Sequence, residues 1–117
     1  MLHFESDYNN GCHEEILKAL VETNGTFENG YGDDQYTKLA EERIKKACKC
    51  PDGQVFLLTG GTQTNAVVIS SILKPWQGAV CAQTGHIHDH EAGALEHTGH
   101  KTLPIPQKNG KISAKDL

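Results

Sequence analysis

The run Val55-Phe56-Leu57-Leu58, then Thr59-Gly60-Gly61-Thr62-Gln63-Thr64-Asn65, then a second apolar run Ala66-Val67-Val68-Ile69, constrains the chain more than any other stretch. An apolar run that meets a glycine pair reads as a buried strand, a tight turn and a helix start. The glycines permit positive φ and let the backbone approach a ligand. Thr62 and Thr64 set hydroxyls beside the free N–H groups of the helix end, where the dipole is positive, so the turn reads as a phosphate cradle. No Gly-Lys-Ser/Thr follows, which excludes a Walker loop, and the dinucleotide fingerprint lacks its third glycine. The same residues also suit a Gly-Gly turn that holds nothing.

A length of 117 residues allows one domain at most. Hydrophobic residues make up 37% and aromatics 6%, which fits an α/β scaffold whose packing a partner completes. A formal charge of -4 with no basic stripe argues against a nucleic-acid or anionic-membrane partner. No apolar run is long enough to span a bilayer, and the segment from Met1 to Asp7 lacks the basic and apolar regions of a signal peptide. Cys12, Cys48, Cys50 and Cys81 show no disulfide-scaffold spacing, so a reduced, cytoplasmic protein is expected.

In chain order, Asp7 to Gly11 reads as a turn and His13 to Thr23 as a helix with Ile16, Leu17, Leu20 and Val21 on one face, stopped by Asn24-Gly25. Thr26 to Asp33 has no periodicity and forms a glycine-containing loop of the kind that carries ligand contacts or merely connects. A second helix is predicted from about Asp34, its N-cap, to Cys48, with Glu41, Glu42, Lys45 and Lys46 paired on a solvated face. Pro51-Asp52-Gly53 turns the chain into the strand Val55 to Leu58. The helix from about Thr64 to Leu73 is apolar on most sides, which predicts burial against a sheet, and Pro75 stops it. Short strands are predicted at Ala79 to Ala82 and around Lys101 to Ile105, and a turn at Lys108 to Lys111. Ser113 and Asp116 resemble a capping pair opening a helix, and that helix start with no helix behind it leads us to expect a truncated sequence. The alternation predicts a mainly parallel α/β sheet with helices packed on it.

Gly85-His86-Ile87-His88-Asp89-His90-Glu91 is the second stretch that invites chemistry. If extended, it would put His86, His88 and His90 on one face as metal ligands. It falls one residue short of the metallo-β-lactamase-like run and has no zinc-finger partner. The other reading places it at the carboxyl edge of the sheet, where open α/β folds bind ligands and an imidazole could lie flat on a planar cofactor. Spacing alone leaves both readings open.

Ser6-Asp7, Tyr31-Gly32-Asp33-Asp34, Gly60-Gly61-Thr62-Gln63-Thr64-Asn65 and Gly85-His86-Ile87 with Glu91 occur in one order, continued by Gly93-Ala94, His97-Thr98-Gly99-His100 and Pro104. Together they resemble the N-terminal part of the low-specificity threonine aldolases, β-eliminating-lyase relatives among the pyridoxal-phosphate enzymes of the aspartate-aminotransferase fold. The resemblance covers essentially the whole chain. It implies the N-terminal portion of that fold's large domain, with a helical arm over about 1–50 and the start of the sheet domain over about 51–117. It implies pyridoxal 5'-phosphate as cofactor, with Gly61 and Thr62 on the phosphate and His86 stacked on the pyridine ring as the catalytic residue near the substrate hydroxyl. Ser6 then helps bind the substrate carboxylate, and Tyr31 reaches a neighbouring subunit's active site. Asn65 and Glu91 are further candidates close to that centre, and no metal is implied.

The implied reaction is aldehyde-lyase cleavage of a threonine-like β-hydroxy-α-amino acid to glycine and an aldehyde, in a homo-oligomer. The family's Schiff-base lysine, its aspartate at the pyridine nitrogen and its carboxylate-binding arginines match no position here. Arg43 lies on the second helix and no lysine matches. The chain alone is therefore expected to be inactive and to self-associate. The alternatives are another pyridoxal-phosphate-dependent β-eliminating amino-acid lyase, a non-catalytic fragment, and a metal-binding module built on His86, His88 and His90.

Overall fold

The computed structural model describes residues 3–6 and 8–117. Met1, Leu2 and Asp7 lie outside them, and with Asp7 the start of the expected first turn and half of the Ser6-Asp7 pair. The chain divides into two compact units, Met1–Val55 and Phe56–Leu117.

The first unit holds two helices, α1 (Glu14–Thr23) and α2 (Gln35–Ala47). His13 caps α1, its Nδ1 accepting from the Glu15 N–H at 3.2 Å, and Glu14 and Glu15 place negative charge at the positive end of the helix. Asp34 caps α2 as predicted. Its carboxylate accepts from the Thr37 N–H at 2.8 Å and the Thr37 hydroxyl at 2.6 Å. The helix ends in a Schellman turn with Lys49 at φ 53°, where Cys50 N–H reaches Lys45 O at 3.0 Å. The ion pair beside α2 is Lys38 with Asp33 at 2.5 Å. The expected pairs Glu41–Lys45 and Glu42–Lys46 do not form among the described residues.

The second unit runs α3 (Gly61–Ile72), β1 (Gly78–Ala82), α4 (His86–Asp89), α5 (Ala94–His97) and β2 (Lys101–Ile105). β1 and β2 pair in parallel, from Gly78 opposite Lys101 to Ala82 opposite Ile105. Parallel strands need a crossover, and α4 and α5 supply it. α4 lies against both strands, α5 against β2, and α3 against α5. The small core forms where these meet: Cys81 and Leu95 are buried, together with the polar Glu91 and Thr102. Gly78 is demanded by packing, since a Cβ there would stand 2.7 Å from Lys101 O and 2.9 Å from Leu103 Cγ.

Four expectations are corrected. Val55 to Leu58 joins no ladder, because among the described residues the sheet consists of β1 and β2, and Phe56 and Leu57 stay 77% and 55% exposed. α3 begins at Gly61, where the glycine turn suggests a helix start, but it buries no residue, its main packing partner being α5 rather than a sheet. The histidine segment is not extended: His86–Asp89 is a single helical turn, so the alternate-face arrangement does not exist. Ser113 and Asp116 do exchange capping bonds, Ser113 N–H to Asp116 Oδ2 at 3.0 Å and Lys115 N–H to Ser113 Oγ at 3.3 Å, yet only a turn forms. One hydrogen-bonded turn does not repay the ordering of its residues. The turn at Lys108–Lys111 is present, with Asn109 and Gly110 at φ 54° and 75°.

Candidate functional site

The glycine pair acts through room rather than through torsion. Gly60 sits at φ -178° and ψ 176°, extended backbone open to any residue, and a Cβ on Gly60 or Gly61 would meet nothing within 4 Å. What the glycines provide is bare backbone at the first turn of α3. No side chain caps that turn. The first helical bond is Thr64 N–H to Gly60 O at 3.0 Å, so among the described residues no group accepts from the N–H of Gly61, Thr62 or Gln63. Gln63 instead reaches back, its Oε1 accepting from Thr59 N–H at 2.8 Å, which fixes the entry of the chain into the helix. Thr62 is exposed beside these donors. Thr64 is not part of the cradle: its hydroxyl donates to Gly60 O at 2.9 Å.

One turn further along α3, Asn65 Nδ2 donates to Glu91 Oε1 at 2.6 Å. The same oxygen receives His86 Nδ1 at 2.8 Å. The Glu91 side chain is 1% exposed and the His86 side chain 64%, so a buried carboxylate holds one edge of a largely open ring. Among the described residues, Glu91 Oε2 is buried with no partner. Ala92 at φ 50° and Gly93 at φ 77° form the left-handed corner that follows Glu91. A second network braces the other side of α4. Thr102 Oγ1 donates to Glu96 Oε1 at 2.7 Å and lies 3.0 Å from His88 Nδ1. The Thr102 hydroxyl, followed by its N–H, holds the Glu96 carboxyl below the usual range. A cavity of about 720 Å³ opens beside the start of α3, lined by Gly60, Thr62 and Gln63 from one side and by Glu91, Gly93 and His97 from the other.

The fold therefore brings Asn65, His86 and Glu91 into one hydrogen-bonded centre, one turn from Gly61 and Thr62. Ser6 and Tyr31 belong to the first unit. Ser6 is half-buried and its Oγ accepts from Tyr8 N–H at 3.4 Å. Tyr31 is fully exposed at φ 63°, beside Gly32 at φ 82°. Residue patterns did not disclose α5 or the His88–Thr102–Glu96 network. Among the described residues no group of three or more His, Cys, Asp or Glu side chains is placed to hold a metal.

A parallel strand pair, an uncapped helix end and a carboxylate-held histidine together define an α/β protein. The family model for β-eliminating lyases matches residues 4–117, and the chain belongs to that family, whose members depend on pyridoxal 5'-phosphate. Among the curated relatives, a "Low specificity L-threonine aldolase" of Pseudomonas sp. (strain NCIMB 10558) is 32% identical over 116 residues. One of the same name from Pseudomonas aeruginosa is 30% identical over 116 residues. Each alignment covers 97% of this chain and 33% of the relative, so the chain spans about a third of their length. The solved structure of Leishmania major threonine aldolase superposes with a TM-score of 0.88 at 40% identity, over 94% of this chain and 32% of that one. The expected α/β fold of the pyridoxal-phosphate-dependent enzymes is supported by that match.

The residues present fit that cofactor. Three free N–H donors and the Thr62 hydroxyl suit a phosphate, and the open His86 ring offers a flat surface held in place by Glu91.

Proposed function

We propose that this chain carries the phosphate-binding and ring-stacking part of an aldehyde-lyase that cleaves threonine-like β-hydroxy-α-amino acids to glycine and an aldehyde. The observation that carries the proposal is the likeness to threonine aldolases along nearly all of this chain, combined with the free donors at Gly61 and Thr62 one helical turn from Asn65, whose bond to Glu91 leads to the held His86. Pyridoxal 5'-phosphate, when bound, supplies the electron sink for the carbanion left as the Cα–Cβ bond breaks.

This chain's own residues would act as follows. The N–H groups at the start of α3 and the Thr62 hydroxyl anchor the phosphate. His86 lies against the ring, and its Nε2 meets the substrate hydroxyl, whose proton must leave as the aldehyde forms. Ser6 contributes to holding the substrate carboxylate, while Tyr31 serves a neighbouring subunit of a homo-oligomer. The exposure of Tyr31 on a left-handed turn supports that last role. A cytoplasmic setting is supported by the free Cys12, Cys48, Cys50 and Cys81. No helix among the described residues is long and apolar enough to cross a membrane.

The test is product analysis with the full protein, pyridoxal phosphate and threonine. Glycine and acetaldehyde in equal amounts support the proposal. Ammonia and 2-oxobutanoate would replace it with β-elimination, the reaction the family model's description also admits.

A further inference from the structure

We propose that Glu91, held in turn by Asn65, is a positioning residue that fixes the tautomer and ring orientation of His86 and leaves Nε2 as its free acceptor. The inference deepens the proposed function only in what Nε2 then serves. The tautomer itself follows from hydrogen bonds within this chain.

Glu91 Oε1 receives Asn65 Nδ2 at 2.6 Å, and an amide NH₂ can only donate. That contact marks Oε1 as an acceptor. As a carboxylate, Glu91 accepts at both oxygens and brings no proton of its own. His86 Nδ1, 2.8 Å from Oε1, must therefore bring the proton. A lone pair on Nδ1 at that distance would face the oxygen's own lone pairs. With the proton on Nδ1, the neutral ring carries its lone pair on Nε2.

The ring needs such a hold because α4 is only four residues, His86–Asp89, too short to be stable by itself. Two braces replace helical length. Glu91 holds His86, and the buried Thr102, donating to Glu96, accepts from His88 Nδ1 at 3.0 Å. Asn65 adds a distinct constraint. It stands one turn from Gly61 on α3, so the element that ends in the anion site also sets the carboxylate that sets the histidine. Phosphate anchor and histidine are thereby registered to one helix.

The experiment is long-range ¹H–¹⁵N correlation on histidine-labelled full protein without cofactor, with His86 assigned by loss of its signals in His86→Asn. His86 should be the Nδ1–H tautomer by about tenfold or more over the other, as a charge-assisted hydrogen bond implies. Glu91→Leu should move it toward the Nε2–H form that free side chains favour. Glu91→Gln should keep the wild-type tautomer, because Asn65 turns the amide oxygen toward His86, and Glu91→Gln with Asn65→Ala should lose it. A predominant Nε2–H form in the wild-type protein would overturn the proposal whether or not any variant folds, as would an unchanged Nδ1–H signal in folded Glu91→Leu. Failure to cleave threonine would count against the proposed function and leave the tautomer result untouched.

Discussion

Leu95→Ala tests whether α5 joins α3 to the sheet as described. Leu95 is 1% exposed and is the largest fully buried side chain among the described residues. The substitution removes three carbons, which at ~0.8 kcal/mol per buried methylene is roughly 2.4 kcal/mol of transfer free energy. A residual cavity adds to this, and Leu-to-Ala changes span about 2–5 kcal/mol depending on how far the walls collapse. The wall on the α3 side buries no residue and can shift, so the lower part of that range applies. We expect about 3 kcal/mol, on the order of a hundredfold in the folding equilibrium. Urea unfolding followed by circular dichroism should show a lower midpoint at unchanged slope. Leu95→Met, which conserves volume, should cost less than about 1.5 kcal/mol. A Leu95→Ala midpoint within about 0.5 kcal/mol of wild type, as for an ordinary surface change, would refute the packing argument.

Gly78→Ala should weaken the β1–β2 pairing by about 1–3 kcal/mol, since its Cβ would meet the carbonyl of Lys101, which is backbone and cannot step aside; thermal unfolding equal to wild type would contradict this. Cys81 should react with iodoacetamide at mildly alkaline pH far more slowly than Cys12, Cys48 or Cys50, because burial, and secondarily the Glu96 charge, pushes its thiol pKa up; mass spectrometry after timed alkylation reads the order directly. The Thr37 hydroxyl and N–H hold the Asp34 carboxyl below its ordinary value of 3.8, so its contribution to α2 is complete above that value and is lost as pH falls through the lower, folded one. Asp34→Asn should remove that part of the acid loss of helical signal, and an acid profile identical to wild type would show that Asp34 does not contribute it.

The parts of the fold written in local chemistry were legible. Asp34 and Asn24-Gly25 bound their helices, Asn109-Gly110 made its turn, and both short strands fell within one residue of expectation. Part of what failed depended on partners distant in the chain, and part on local turn geometry. Val55 to Leu58 has strand composition, but a strand exists only through its neighbour, and none of the described residues supplies one. The alternation of His86, His88 and His90 suggested an extended face, yet a tight turn following β1, with Gly85 N–H on Ala82 O at 2.8 Å, starts a helical turn instead. Of the two roles the sequence suggests for Gly60 and Gly61, positive φ is not used, while the open space that lets the backbone be approached closely is present. The bond from Asn65 to Glu91 spans 26 positions and crosses β1, a relation no local pattern encodes.

The central claim is that the bare first turn of α3 grips a phosphate beside His86. Calorimetric titration of the full protein with pyridoxal 5'-phosphate and with pyridoxal, which lacks the phosphate, tests it most directly. The account predicts that the phosphorylated compound binds at least about tenfold tighter, as charge-assisted bonds from backbone N–H groups imply. Thr62→Val should reduce that preference only in part, because the donors at Gly61, Thr62 and Gln63 are main-chain groups it leaves in place. Equal affinity for the two compounds in the wild-type protein would contradict it.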